Sequence, residues 1–324
     1  MFMHKYIIKR LLMLIPVMLG ISFILYSIMT LTPGDPAQLI LGPGATEEAI
    51  ELKRQELGTD KGFWEGYVDW LTNAVQGDFG TSFISQRPVL QEIFKADRIG
   101  TSFFVALIAV IFEFLIAIPL GITAATHQYS IRDYVVTILV LIGISLPSFF
   151  FGQMLKNIFA VQLGWFPVSG NMTSGVEFSW FGAIMDYVWH MILPILTVVI
   201  LSIGARMRMT RTNMLEVLNS DYIRTARAKG LKESTVIYKH AFRNTMIPLV
   251  TSLAGLIHSL FSGAMITEQV FGLTGIGSYA LDCMQQGDIP VIMTYNMFLA
   301  ILSVLGVLLA DLMYAVVDPR VKLA

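Results

Sequence analysis

The chain has 324 residues, 55% of them hydrophobic and only 14% charged, against roughly 25% charged in soluble domains. That deficit excludes a water-soluble protein and sets the class as a polytopic membrane protein. The formal net charge is −1, so the placement of charge matters more than its sum, and a lone cysteine, Cys283, excludes an intrachain disulfide or a thiolate metal cage.

The N-terminal MFMHKYIIKR leads into an apolar run that continues well past a signal-peptide core, so a retained first span is expected. The apolar runs in chain order are Leu11–Thr30, Ile99–Thr126, Tyr134–Met154, Tyr187–Ala205, Asn244–Thr267 and Ile289–Ala310. Each is at or near the ~20 residues that a helix needs to cross ~30 Å of hydrocarbon. Only Glu113 interrupts the second run. Backbone groups in hydrocarbon must be satisfied within their own segment, so helices are predicted throughout. The expected fold is all-α, with six transmembrane helices and both termini on one side.

Basic residues set the direction. One side holds Lys5, Lys9, Arg10, Arg132, the series from Arg206 to Arg243, and Arg320 and Lys322. The other holds Lys156 and the long Pro33–Arg98 loop, whose 11 Asp and Glu accompany Lys53, Arg54, Lys61, Arg87, Lys95 and Arg98. The first side is expected to be cytoplasmic. The division follows: 1–32 as N-terminal start and first span, 33–97 as extracytoplasmic cap, 98–317 as core with a cytoplasmic loop at 206–243, and 318–324 as cytoplasmic tail.

The loop after the first span opens with TPGDP, which stops the helix. In ATEEAIELKRQELG, Thr46 is placed to N-cap a helix, Glu47 and Glu48 suit its first turn, and Gly58 is its stop. WEGYVDWLTNAV puts Trp64, Tyr67 and Leu71 on one helical face beside Trp70, to pack on a membrane interface or on other loops. A small folded cap is expected. The connection Gly164–Asp186, with Trp165, Pro167 and Trp180, reads as an ordered loop near the lipid headgroups.

The stretch DYIRTARAKGLKESTVIYKHAFRNTMIP, Asp221 to Pro248, is dense in Arg and Lys between two apolar runs. Asn219 or Ser220 is placed to cap a short helix, Asp221 suits its N-terminal dipole, and Arg224, Arg227 and Lys229 suit its C-terminal half. Gly230 fits the left-handed position after the helix, with Leu231 placed for the apolar contact of a Schellman turn. Ser234 is expected to cap a second helix through Val236, Ile237 and Tyr238. Small Ala226 and Ala228 would permit close approach. A loop that only fixes topology and a helix that docks into a partner both fit these residues.

RTARAKG followed by HAFRNTMIP resembles the cytoplasmic EAA loop of type I ABC-transporter permeases, in the form of the dipeptide/oligopeptide/nickel branch. The general pattern is Glu-Ala-Ala, three residues, Gly, nine residues and Ile-x-Leu-Pro. Here Arg224 and Thr225 take the first two positions, Ala226 matches the second Ala, and Pro248 lies farther from Gly230 than the pattern allows. Both departures resemble the peptide branch. KYIIKRLLMLIPVMLGISF with PGDP, QGDFGTS with Pro88-Val89, LGWFPVSG, HMILP, RMTRTNMLEVLNSDYIRTARAKG and YAVVDPR resemble the same branch along nearly the whole chain.

The resemblance implies a type I ABC importer permease of a prokaryotic cell membrane, working by alternating access among membrane lipids. Asp221–Lys229 would be the coupling helix, with Asp221, Tyr222, Arg224, Thr225, Ala226, Arg227 and Gly230 at an ATPase cleft. Ala226, rather than Ala228, is expected to meet that cleft closely. The implied partners are a homologous second permease subunit, two ATP-binding subunits carrying ATP and Mg, and an extracytoplasmic substrate-binding protein. The implied cargo is di- or oligopeptides, with nickel, haem or glutathione as alternatives.

Catalytic motifs are missing. No GxxxxGK[ST], HExxH or GxSxG occurs, and the 5 histidines show no zinc-ligand spacing. The chain is expected to bind no cofactor, metal or nucleic acid and to be no enzyme. Ionisable groups within spans are costly and therefore functional candidates. Glu113 either lines the substrate path or serves as a protonated hydrogen-bonder between helices, and His258 carries the same two readings. Asp311 is expected to hold a neighbouring helix, Glu268 to be wet, and Met207, Met209 and Met214 to pack rather than bind metal. A self-sufficient secondary transporter would need broken helices, paired midplane charges and an internal repeat, none of which the sequence displays.

Overall fold

The computed structural model describes residues 2–31 and 34–317 and is helical throughout, with no strand among them beyond an isolated Thr81–Pro88 bridge. Lys5, Lys9, Arg10, Asp311, Arg320 and Lys322 lie outside the described side chains. The first long helix, α1 (Phe2–Leu31), is followed by α2 (Pro36–Leu41), α3 (Glu47–Leu57), α4 (Phe63–Val75) and α5 (Val89–Ile93). Then come α6 (Ala96–Thr126), α7 (Ile131–Ser145) and α8 (Ser148–Leu155), which runs into a π-helical turn at Lys156–Gln162. α9 (Trp180–Leu218), α10 (Asp221–Ala228) and α11 (Glu233–Thr235) precede a second π-helical turn, Val236–Phe242. α12 (Arg243–Ala254), α13 (Leu256–Ser262), α14 (Met265–Phe271), α15 (Ile276–Gln285) and α16 (Ile289–Val317) follow among the described residues.

Four of these helices, α1, α6, α9 and α16, are long and apolar enough to cross a membrane. The other two expected spans are broken. The third run divides at Leu146, which is extended (φ −86°, ψ 131°) because Pro147 disfavours helical backbone in the residue before it. The fifth divides at Gly255 and again at Gly263, where φ is +70°. The fourth is longer than expected: α9 has 39 residues, about 58 Å at 1.5 Å per residue. Arg206, Arg208 and Arg211 therefore continue a long helix instead of opening a loop.

The cap forms as its sequence implies. Thr46 accepts the Ala49 amide at 3.3 Å, and Gly58 ends α3 in the left-handed region. Asp35 caps α2 and holds the Arg54 guanidinium at 2.7 Å. α4 lies on α1: Trp64 stacks on Phe23 at 5.7 Å, Tyr67 meets Phe23 edge-on, and Trp70 approaches Tyr26. The 164–186 connection is ordered. Asn171 donates to Thr101 and Thr274, and Asp186 accepts from the Thr173 amide and hydroxyl at 2.7 Å.

Buried apolar clusters follow the long axis. Val89, Ile93, Ile276, Ala280, Cys283, Val291 and Tyr295 form one at the cap end. Val105, Met191, Leu193, Phe271 and Leu273 form the next, and Ala117, Ala124, Val140 and Met207 another. The last, at the far end, gathers Ile122, Ala125, Met214, Ile223, Ala226, Val236 and Ala241. Met207 and Met214 thus pack in the interior, 2% and 0% exposed. Glu268, expected to be wet, is 0% exposed. Its carboxylate accepts from Ser102 Oγ at 2.7 Å, the Ser278 amide at 2.8 Å and the Ala264 amide at 3.1 Å. Sequence spacing could not show this, because the Ser102 donor comes from α6, 166 residues away, and Ser278 from α15, with only Ala264 close in sequence.

Candidate functional site

α10 is the short helix the basic segment was expected to hold, one residue shorter, with Lys229 as its C-cap. Ser220 is the N-cap residue by backbone, but its hydroxyl donates back to Val217 O at 2.6 Å and caps nothing. Gly230 has φ +72° and its amide donates to Arg227 O. A β-carbon there would meet open space, so the requirement for glycine is one of backbone conformation alone. Leu231 is 41% exposed and does not close an apolar turn. Ser234 is not a cap either: α11 starts at Glu233 with Lys232 before it.

The two faces of α10 differ sharply. Ile223 and Ala226, three residues apart, are buried against Met214, Val236 and Ala241. Burying an isoleucine fully is worth about 1.5–3 kcal/mol, enough to fix the rotation of so short a helix. Asp221, Arg224, Thr225 and Ala228, at i, i+3, i+4 and i+7, form the opposite, exposed stripe. The expectation that Ala226 meets a partner closely is therefore corrected: Ala226 faces its own chain, and Ala228 is the small residue on the open side.

Of the flanking residues, Tyr222 OH accepts from Asn244 Nδ2 on α12 at 3.2 Å. Arg227 forks onto Glu233, with Nη2 to Oε1 at 2.8 Å and Nε to the same oxygen at 3.2 Å. Those bonds hold the Glu233 carboxyl below the usual carboxylate range. On the stripe itself Thr225 Oγ1 donates to Asp221 O at 2.9 Å, while the charged side chains approach only loosely, Arg224 Nη1 to Asp221 Oδ1 at 3.7 Å, 72% and 98% exposed.

Inside the bundle, Glu113 has a partner that the sequence did not reveal. Arg206 Nε donates to Glu113 Oε1 at 2.9 Å, and Arg206 Nη1 donates to Ser252 Oγ at 2.7 Å. The guanidinium also lies over the Phe114 ring at 4.6 Å. Glu113 thus accepts from Arg206 and joins α6 to α9. Nearby, Arg211 forks onto Asp133 of α7 with both bonds at 2.9 Å. His258 Nδ1 lies 2.8 Å from Ser303 Oγ and 3.2 Å from Leu299 O, which ties α13 to α16. Glu113 and His258 are not brought together with each other or with α10.

The fold is an all-helical bundle with four helices long and apolar enough to cross a membrane and a charged eight-residue helix held against one end, the build of a membrane protein. The pattern described as "Binding-protein-dependent transport system inner membrane component" matches residues 117–323, and its N-terminal companion, "Binding-prot-dependent transport system membrane comp, N-term", matches 3–107. The chain belongs to this family: it is a permease subunit of an ABC importer, works with ATPase and substrate-binding partners, and is not itself an enzyme.

It is 40% identical over 320 residues to the oligopeptide transport system permease protein AppB of Bacillus subtilis, covering 99% of this chain and 100% of that one. It is 37% identical to the dipeptide transport system permease protein DppB of Alkalihalophilus pseudofirmus (99% and 100% covered) and to the glutathione transport system permease protein GsiC of Escherichia coli K12 (99% of each). A solved structure titled for inward facing conformations of the MetNI methionine ABC transporter has the same fold, with a TM-score of 0.53 at 17% identity over 68% of this chain and 94% of that one. Broken helices and a buried charge pair, expected of a secondary transporter, do occur here, so family membership and not their absence decides the class.

Proposed function

We propose that this chain carries short peptides inward by alternating access, and that the exposed stripe of α10 seats in a cleft of an ATP-binding subunit. The stripe carries the proposal: Asp221, Arg224, Thr225 and Ala228 are exposed on a helix whose other face is locked into its own bundle. A loop needed only for topology has no use for a fixed rotation. Tyr222, Arg227 and Gly230 support the stripe, two by bonds within the chain and one by ending the helix. The working assembly pairs this chain with a homologous permease, two ATP-binding subunits carrying ATP and Mg, and an extracytoplasmic binding protein. The α10 end and both termini face the cytoplasm, as the basic residues direct. Peptide cargo is favoured over nickel or haem because the named cargoes of AppB, DppB and GsiC are all peptides, glutathione being a tripeptide.

Two measurements test this reading. The complete transporter in vesicles, offered a tryptic digest of casein, should accumulate peptides when ATP is supplied, and nickel should not compete. Cysteine at exposed Thr59, with Cys283 replaced by alanine, should react with an impermeant maleimide in intact right-side-out cells. Labelling only after permeabilisation would invert the orientation and remove α10 from the ATP side.

A further inference from the structure

Among the described residues, polar bonds tie α12 to other helices near both of its ends, and Thr245 Oγ1 in the first turn also reaches Met214 Sδ on α9 at 3.5 Å. The same turn carries Asn244, whose amide donates to Tyr222 OH on α10. Eight residues on, about 12 Å along a helix, Ser252 accepts from Arg206 Nη1 while donating its own proton to Leu249 O at 2.6 Å. Arg206 in turn holds Glu113, so one guanidinium joins α6, α9 and α12. Just past Ser252 the helix stops: Gly255 separates α12 from α13. α12 is therefore a helical segment, with Pro248 in its middle, that is joined to α10 at one end, broken at the other, and held by Arg206 next to the break.

Other polar ties do not share this placement. Asp133–Arg211 joins α7 to α9 without touching α12, and His258 holds α13 to α16 beyond the break. A guanidinium has donors pointing in several directions and keeps its charge, so it can satisfy Glu113 while gaining or losing Ser252. We propose that α12 is the lever by which displacement of α10 enters the bundle, and that Arg206, as a positioning residue, transmits that displacement to α6 and α9 through Ser252. This rests on the reading of α10 as the ATPase-docking helix.

The test uses the complete transporter reconstituted in vesicles, with casein digest outside and ATP inside, comparing Ser252→Ala, Ser252→Thr, Arg206→Gln and the parent. Co-purification of the ATP-binding subunits is recorded first, then peptide taken up per ATP hydrolysed. Ser252→Ala should assemble like the parent yet lower uptake per ATP two- to fivefold, Ser252→Thr should restore it, and Arg206→Gln should lower it tenfold or more. An Arg206→Gln chain that fails to insert leaves Ser252→Ala, which deletes a single hydroxyl, to decide. Uptake per ATP equal to the parent in Ser252→Ala overturns the lever. A parallel Ala228→Trp variant separates the two ideas: if its ATP-binding subunits still co-purify, the docking reading fails and the lever falls with it, whereas loss of co-purification alongside an unchanged Ser252→Ala ratio removes the lever alone.

Discussion

The cap end and the α10 end of the molecule treat charge in opposite ways. At the cap end three carboxylates are buried and closed off by their own chain. Glu268 is enclosed by Ser102, Ala264 and Ser278; Asp288 accepts the Ser82 hydroxyl and the Phe83 amide; Glu92 is ringed by Lys95 and Arg98. Lys95, Arg98 and Ala264 are near neighbours in sequence of the carboxylates they serve. Ser102, however, reaches Glu268 from α6, and Ser82 and Phe83 reach Asp288 from the loop before α5, so α6, α14 and the start of α16 are tied to distant segments. On the α10 stripe Asp221 and Arg224 stay in water, 3.7 Å apart, with no third group to complete them. Surface pairs of that kind are worth ~0–1 kcal/mol. One end is closed by the chain's own donors, and the other presents its charges to the outside.

The largest effect expected concerns the α10 end. Ala228→Trp should abolish co-purification of the ATP-binding subunits with no change in thermal unfolding. Ala226→Trp should instead destabilise the chain itself by about 1–3 kcal/mol, because it overpacks a filled cluster. Equal behaviour of the two variants would erase the distinction between the faces.

At the cap end, Glu268→Ala strands buried amide donors and should cost about 3 kcal/mol. Cys283 reports this directly: it is 2% exposed in the same region, and burial pushes its thiol up to about 11. A thiol-reactive dye should therefore reach it at a lower temperature in the variant. Gly275→Ala should shift the same transition in the same direction but less, about 1–3 kcal/mol, since its β-carbon would run into the Glu268 carboxylate and Ser102 Oγ. No shift for either would mean that this end is not held as one piece.

Gly230→Val should cost about 1–2 kcal/mol of local backbone strain and impair ATPase binding without moving the Cys283 transition. Gly230→Asn should stay near the parent, because asparagine tolerates the left-handed region.

The smallest effect is with acid. Burial alone would raise the Glu92 carboxyl, but hydrogen bonds from Lys95 and Arg98 outweigh it and hold it below its ordinary value of 4.5. A depressed carboxylate adds stability above its unfolded pKa and loses it as pH falls through the folded one. The dye-accessible transition should therefore drop as pH falls below about 4.5, and Glu92→Gln should flatten that limb.

Local signals in the sequence were legible where the chain answers them locally. Thr46, Gly58 and Gly230 do what their residue types imply, because caps and left-handed stops need only neighbours in sequence. The break before Pro147 was written in the sequence but hidden inside an apolar run. What could not be read depends on residues far apart. Glu113 meets Arg206 and Glu268 meets Ser102 only once helices pack, and the rotation of α10 is set by Met214, Val236 and Ala241. The family motif singled out an alanine that the structure buries against its own chain, since a motif fixes positions along a helix and not which side faces home.

The aromatic seam between α1 and α4 bears on the order in which the molecule is made. Phe23 and Tyr26 meet Phe63, Trp64, Tyr67 and Trp70, and Ser22 lies 2.9 Å from Tyr67 OH, all within the first quarter of the chain. During synthesis these partners exist before α6 has been translated, so the N-terminal unit can settle early. α1 also packs against α16, which is translated far later. α1 is therefore already covered on one flank when α16 arrives to cover another.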